Sequence, residues 1–126
     1  MVAERMIMND ITITIEGNLG TEPSFYDTEG KTPFAKFRVG TTAYRAGEEH
    51  TQWFTVKTFS DLARNCAATL VKGMPVVVRG RLETHTYESA DSAGETKADQ
   101  VIVANALGVS LARGTVSYEK NPAPAA

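Results

Sequence analysis

Three residues of one stretch, Trp53, Lys57 and Phe59 in TQWFTVKTF (51–59), could do one kind of chemistry together. Trp and Phe offer flat π-faces on which another ring can stack, and Lys offers a positive charge beside them. In an extended strand, successive side chains alternate between two faces. Trp53, Lys57 and Phe59 then share a face with Thr51 and Thr55, while Phe54 and Val56 share the other. The Phe54 face reads as core. The Trp53 face reads as surface, yet it carries the only Trp of the chain. Large rings left in water point to something that covers them: a ligand, a loop or another subunit.

Two further stretches repeat the pattern. In FAKFRVGTTAY (34–44), Lys36, Arg38 and Tyr44 lie on one face with Phe34 and Thr42, opposite Ala35, Phe37 and Val39. In VVVRGRLETHTY (76–87), Arg79, Arg81, Glu83, His85 and Tyr87 lie opposite Val76, Val78, Gly80 and Leu82. Three strands thus put rings and cations on their non-core faces. An unpaired nucleic-acid strand presents what those groups accept. Its bases stack on aromatics, each worth about 1–3 kcal/mol. Its phosphates are neutralised by Arg and Lys with release of counterions. Neither effect reads sequence. Duplexes hide their base faces, so the pattern favours single strands, without separating DNA from RNA. With Arg45 and Lys72 as flanking cations, the candidate interface is Trp53, Phe59, Tyr44, Tyr87, Lys36, Arg38, Arg45, Lys57, Arg79, Arg81, His85 and Lys72.

Other chemistry finds little support. His50 and His85 are the only histidines, and neither has metal-ligand spacing with Cys66, so no metal or other cofactor is expected. P-loop, nucleophile-elbow and dinucleotide-binding motifs are missing, and no enzyme is expected. GNLG (17–20) precedes no helix and reads as a bend rather than a phosphate cradle. Cys66, the single cysteine, lies on the apolar stripe of a helix and reads as a buried thiol.

The elements that position these residues follow from periodicity. Alternating Ile11, Ile13 and Ile15 mark a strand running from about Met6 to Glu16. Gly17–Pro23 reads as a loop and Phe25–Thr32 as a turn. The second strand is 34–44, with Gly40 suggesting a bulge or bend. RAGEEH (45–50) reads as a loop carrying His50, and the third strand, 51–59, pairs antiparallel with the second. SDLARNCAATLVK (60–72) reads as the one helix, capped by Ser60 or Asp61 and closed by Lys72 and Gly73. The fourth strand is 76–87, a polar loop spans 88–96, and a last strand, 97–111, is apolar on both faces. Strand, strand, strand, helix, strand, strand is the order of an all-β, five-stranded Greek-key OB-fold barrel with its helix between strands three and four. Gly40 and Gly80 are candidate corners.

At 126 residues the chain fits one domain, spanning 6–112, followed by a disordered tail at 113–126. A net charge of −2 argues mildly against a nucleic-acid partner, so the local clustering of cations carries the reading. Neither a secretory signal nor a stretch long enough to cross a bilayer is seen, which fits a cytoplasmic, nucleoid-associated protein without a membrane partner.

GNLGTEP (17–23), TQWFTVKTFSDLA (51–63), LVKGMPVVVRGRL (70–82) and THTY (84–87) resemble the bacterial single-stranded DNA-binding protein family over roughly residues 6–112. The resemblance implies an OB-fold homotetramer that coats single-stranded DNA in replication, recombination and repair. It implies stacking by Trp53, Phe59, Tyr44 and Tyr87, of which positions 44 and 87 are commonly Trp in the family. Glu83, His85 and Thr86 stand where family members often carry cations, which predicts weaker binding with fewer phosphates neutralised. The family's acidic tip, closing in Asp-Asp-Ile-Pro-Phe or similar, recruits repair and replication enzymes. The chain closes instead in NPAPAA, as in a tail-less or truncated form, so recruitment is not expected to carry over. The rival expectation is an accessory, primosome-type OB-fold that binds nucleic acid weakly and serves as a protein-interaction platform.

Overall fold

The computed structural model describes residues 10–88 and 96–123, with the side chains of Tyr87, Glu88, Thr96 and Lys97 outside that description. The expected strand start at Met6 lies outside it too, as does most of the 88–96 loop. The elements are β1 (Ile11–Leu19), β2 (Ser24–Tyr26), β3 (Phe34–Arg45), β4 (Glu48–Phe59), α1 (Ser60–Thr69), β5 (Pro75–Glu88) and β6 (Thr96–Val109).

The strands run β1-β5-β6-β4-β3-β2, and β1 also pairs with β3. That second pairing closes β1, β5, β6, β4 and β3 into the five-stranded barrel, with α1 between the third and fourth of its strands. β2 is an added edge on β3. Closure between β1 and β3 is antiparallel, at Asn18 opposite Gly40 and Leu19 opposite Val39. β4 and β6 close the other side in parallel, over Thr55–Lys57 against Val101–Val103.

The core follows the period-two pattern. Phe37, Val39, Phe54, Val56, Val76, Val78 and Ile102 point inward and are fully or nearly fully buried. Ala63, Cys66 and Leu70 of the helical stripe close one end of the barrel. Val101 is buried on the outward side of β6, so this strand is covered on both faces there, as its composition implied.

Several expectations are corrected. Phe25 and Tyr26 are not in a turn. They belong to β2, which pairs Ser24, Phe25 and Tyr26 with Lys36, Ala35 and Phe34. β1 does not end at Glu16 but continues through Gly17 to Leu19. A Cβ at Gly17 would run into the Gly40 carbonyl, so its missing side chain is what lets β3 close on β1. Gly40 makes no bulge, because the β3–β4 register runs unbroken through it. The bulge lies between Arg79 and Gly80, against β6, where Asn105 is the extra residue.

The loop expected at 45–50 is only Ala46-Gly47. Both residues have positive φ, 52° and 80°, the signature of a tight hairpin turn whose twist matches the strands. His50 therefore sits in β4, opposite Ala43. The helix stops at Thr69, because Leu70 turns extended to bury its side chain, and Lys72 and Gly73 form a turn beyond it. Neither Ser60 nor Asp61 caps it. Phe59 occupies the cap position without a side-chain hydrogen bond, and Ser60 takes φ 60°.

Candidate nucleic-acid interface

β3 and β4 pair with Lys36 opposite Lys57, Arg38 opposite Thr55, and Gly40 opposite Trp53. The first two rows continue into the neighbouring strands. Lys57 lies beside Val103, which lies opposite Arg81, and Thr55 lies beside Val101, which lies opposite Glu83. Alternation turns all of these outward. Lys36, Arg38, Lys57 and His85 line a shallow groove of about 440 Å³, with Thr21, Glu22, Ser24, Thr55 and Asp99 along its walls. The three Lys and Arg residues have no ion pair to an acid among the described residues. Asp99 is held by the Thr55 hydroxyl, 3.3 Å from both carboxylate oxygens.

Trp53 stands one outward row beyond this groove, opposite Gly40. It lies outside the barrel and is 45% exposed. Its support is backbone: a Cβ on Gly40 would stand 2.9 Å from Cζ3 of the indole, and one on Gly20 would be closer still. Two glycines thus form a flat seat, and the Gly20 N–H donates to the Arg38 carbonyl at 2.8 Å to fix it. The Arg38 guanidinium lies 5.8 Å from the indole centroid. Arg38 therefore meets both ring and groove, a position suited to a base on one side and a phosphate on the other.

Phe59 is 42% exposed and ends β4 on the same face. It meets Phe34 at 5.9 Å between centroids, and Phe34 stacks on Tyr26 at 4.9 Å and 24°. Tyr26 was missed in the sequence because SFY is too short to display a period. Its separation from Phe34 gives no local hint of the stack. Tyr44 lies further along β3, 74% exposed, with its hydroxyl donating to Glu49 at 3.2 Å. The backbone at Tyr87 is paired with Lys97, and its side chain is outside the description.

The remaining expected residues are not all gathered. Arg79 lies beyond the bulge, where its Nε donates to Asn105 at 3.2 Å, and it does not line the groove. Lys72 lines a different hollow, against β1 and residues 109–116, and Arg45 sits at the hairpin tip opposite Glu48. For Arg79 the reason is curvature: outward faces of strands around a barrel point in different directions, which a linear alternation does not encode.

Arg81 is on the right row but is not free. Its Nη2 and Nε donate to Glu83 at 2.7 and 3.0 Å, and the other Glu83 oxygen meets His85 Nε2 at 2.9 Å. The hydrogen bond from His85, then that from Arg81, holds the Glu83 carboxyl below its ordinary range. Cys66 is the buried thiol expected, and burial pushes its pKa up to about 11.

Known proteins resemble this chain in sequence and in fold. The single-stranded DNA-binding protein 1 of Streptomyces coelicolor is 38% identical over 120 residues, covering 90% of this chain and 74% of that protein. The single-stranded DNA-binding protein of Corynebacterium glutamicum is 30% identical over 124 residues, and the chain spans 54% of its length. A crystal structure of the small single-stranded DNA-binding protein from Streptomyces coelicolor superposes with a TM-score of 0.73 at 38% identity, over 85% of this chain and 100% of that one. The second single-stranded DNA-binding protein of Mycobacterium smegmatis gives 0.69 at 30% identity, over 89% and 100%. Residues 8–110 match the profile of the single-strand binding protein family, and with the closed barrel already described, the chain belongs to that family.

Proposed function

We propose that this chain binds single-stranded DNA without reading its sequence, along the outward face of β3 and β4. Bases stack on Trp53 and Phe59, while Lys36, Arg38 and Lys57 neutralise phosphates. Tyr44 extends the stacking surface along the hairpin. Arg81 and His85 join once Glu83 releases them. The observation that carries the reading is the indole seated on two glycines, half exposed, beside three cations that have no acid partner among the described residues. That is a costly surface to leave bare and an apt one for unstacked bases. The protein is not read as an enzyme. Coating of exposed strands in replication, recombination and repair is the role that follows.

We infer further that the chain acts as a homotetramer in the cytoplasm, at the nucleoid. Ile11 and Leu111 stay exposed on the barrel surface and could meet another copy. Ile102 lies in the chain's own core and Ile13 packs against it, so neither is left for such a contact. No described helix is long and apolar enough to cross a membrane. The binding domain is taken as 6–112.

Titration with oligothymidylate tests the binding reading. Trp53 fluorescence should quench, less so as salt rises. Trp53→Ala should cost about 1–3 kcal/mol of binding, one stacked base. Unchanged fluorescence at low salt would reject the reading in favour of a protein-interaction platform.

A further inference from the structure

We propose that Tyr26 and Phe34 carry the stacking track beyond Phe59 to the edge of the sheet, where the outer face of Tyr26 takes one further base. The inference rests on the stacking role proposed for Trp53 and Phe59. Three observations lead to it. First, the rings form a continuous ladder across β4, β3 and β2. Phe59 stands opposite Phe34, and Phe34 opposite Tyr26. Their centroids are 5.9 and 4.9 Å apart, the second pair nearly parallel at 24°. Second, β2 ends the sheet order, so among the described residues no strand lies beyond Tyr26, and the residue is 49% exposed. Third, the groove already reaches β2. Ser24 lines it opposite Lys36, and Tyr26 is two residues further on the same face.

A bare tyrosine at the end of a ladder is pre-ordered for a ligand ring. Its χ angles are fixed by the stack on Phe34, so little side-chain freedom remains to be lost when a base arrives. A base placed there continues a stack that protein rings have begun. Lys36, in the adjacent row, is within the same groove to meet the phosphate that precedes it.

The test lengthens oligothymidylate one nucleotide at a time and compares the wild type with Tyr26→Leu and Tyr26→Phe. Leucine keeps an apolar side chain on Phe34 but offers no ring face, and phenylalanine keeps the face. Wild-type affinity should rise by one more step than that of Tyr26→Leu. The missing step should be at least about fivefold, the lower end for one stacked base. Tyr26→Phe should keep it. Quenching of Trp53 by the shortest oligomers should be the same in all three. Equal length profiles for Tyr26→Leu and wild type overturn the extension. So does an equal loss at every length, which would make Tyr26 only a brace for β2. Absence of Trp53 quenching in the wild type would instead mark failure of the broader reading.

Discussion

Gly20→Ala is the sharpest test of how the indole is held. The added Cβ would overlap Cζ3 of Trp53 and stand 2.8 Å from Cη2. Carbon atoms in ordinary contact keep about 3.5–4.0 Å. The ring must therefore retreat by roughly 1 Å or rotate. It cannot move toward β3, because Gly40 already holds it there, with a Cβ position only 2.9–3.1 Å from three ring atoms. The remaining direction is outward, toward solvent. Gly20 is not among the glycines with positive φ, so alanine adds no backbone strain of its own.

The displaced ring loses its place beside Arg38, about 0.5–1 kcal/mol for an exposed cation–π pair, and its alignment for a base, about 1–3 kcal/mol. Oligothymidylate binding should weaken at least about fivefold. Folding stability should fall by only about 1 kcal/mol, since a half-exposed ring can yield without opening the core. The assay is fluorescence titration at fixed salt, with thermal melting alongside. Gly17→Ala is the contrast. Its Cβ meets the Gly40 backbone at the barrel closure, which cannot swing away, so it should cost about 3 kcal/mol or more of stability. Wild-type affinity and an unshifted emission maximum in Gly20→Ala would refute the glycine seat.

Other consequences are open to direct measurement. Lys57→Ala should lower the slope of log affinity against log salt by about 0.7, one single-strand phosphate, while Lys72→Ala should leave it unchanged; equal slopes for both would dissolve the groove assignment. Glu83→Gln should tighten binding up to about fivefold, because freeing Arg81 no longer costs a surface ion pair of about 0–1 kcal/mol; weaker binding would show that Glu83 instead orients Arg81 productively. The Glu83 carboxyl has its pKa lowered in the folded state, so its share of stability is present above the unfolded value and fades as pH falls through the folded one. The Cys66 thiol has the reverse sense, its folded pKa raised to about 11 from 9.0. Stability should thus decline as pH rises between those values, and Cys66→Ala should remove that component of the decline in a melting series.

Much of the barrel was legible because period-two alternation is a local signal. Phe37 and Val39, Phe54 and Val56, Val76 and Val78 each declare an inward face within a few residues, and each is buried. What was missed depends on partners far away in sequence. β2 has three residues and stands on its pairing with β3 and the Tyr26–Phe34 stack. Gly17, Gly20 and Gly40 read locally as breaks, yet their role is to leave room for a carbonyl or an indole. The Ala46-Gly47 turn was hidden because alanine rarely adopts positive φ. For the interface, alternation gave the outward residues but not the barrel's curvature, which carries Arg79 away from the groove, while Lys72 lies in the turn after α1 and Arg45 at the β3–β4 hairpin tip. The Arg81–Glu83–His85 cluster could have been foreseen, since i and i+2 on a strand share a face.

The barrel's unequal pairings carry a consequence for how it assembles. β3–β4 and β5–β6 are hairpins whose partners lie close along the chain, running from Phe34 against Phe59 to Arg45 against Glu48 and from Val76 against Val109 to Glu88 against Thr96. β1 joins β5 over eight positions, but the other two seams of the cylinder are short and distant in sequence, two matched positions between β1 and β3 and three between β4 and β6, so both depend on ribbons that are already in place. Zipping of ribbons should precede sealing of the cylinder, and the amide protons that bond across these two short seams should gain protection later in refolding than those bonded within the hairpins.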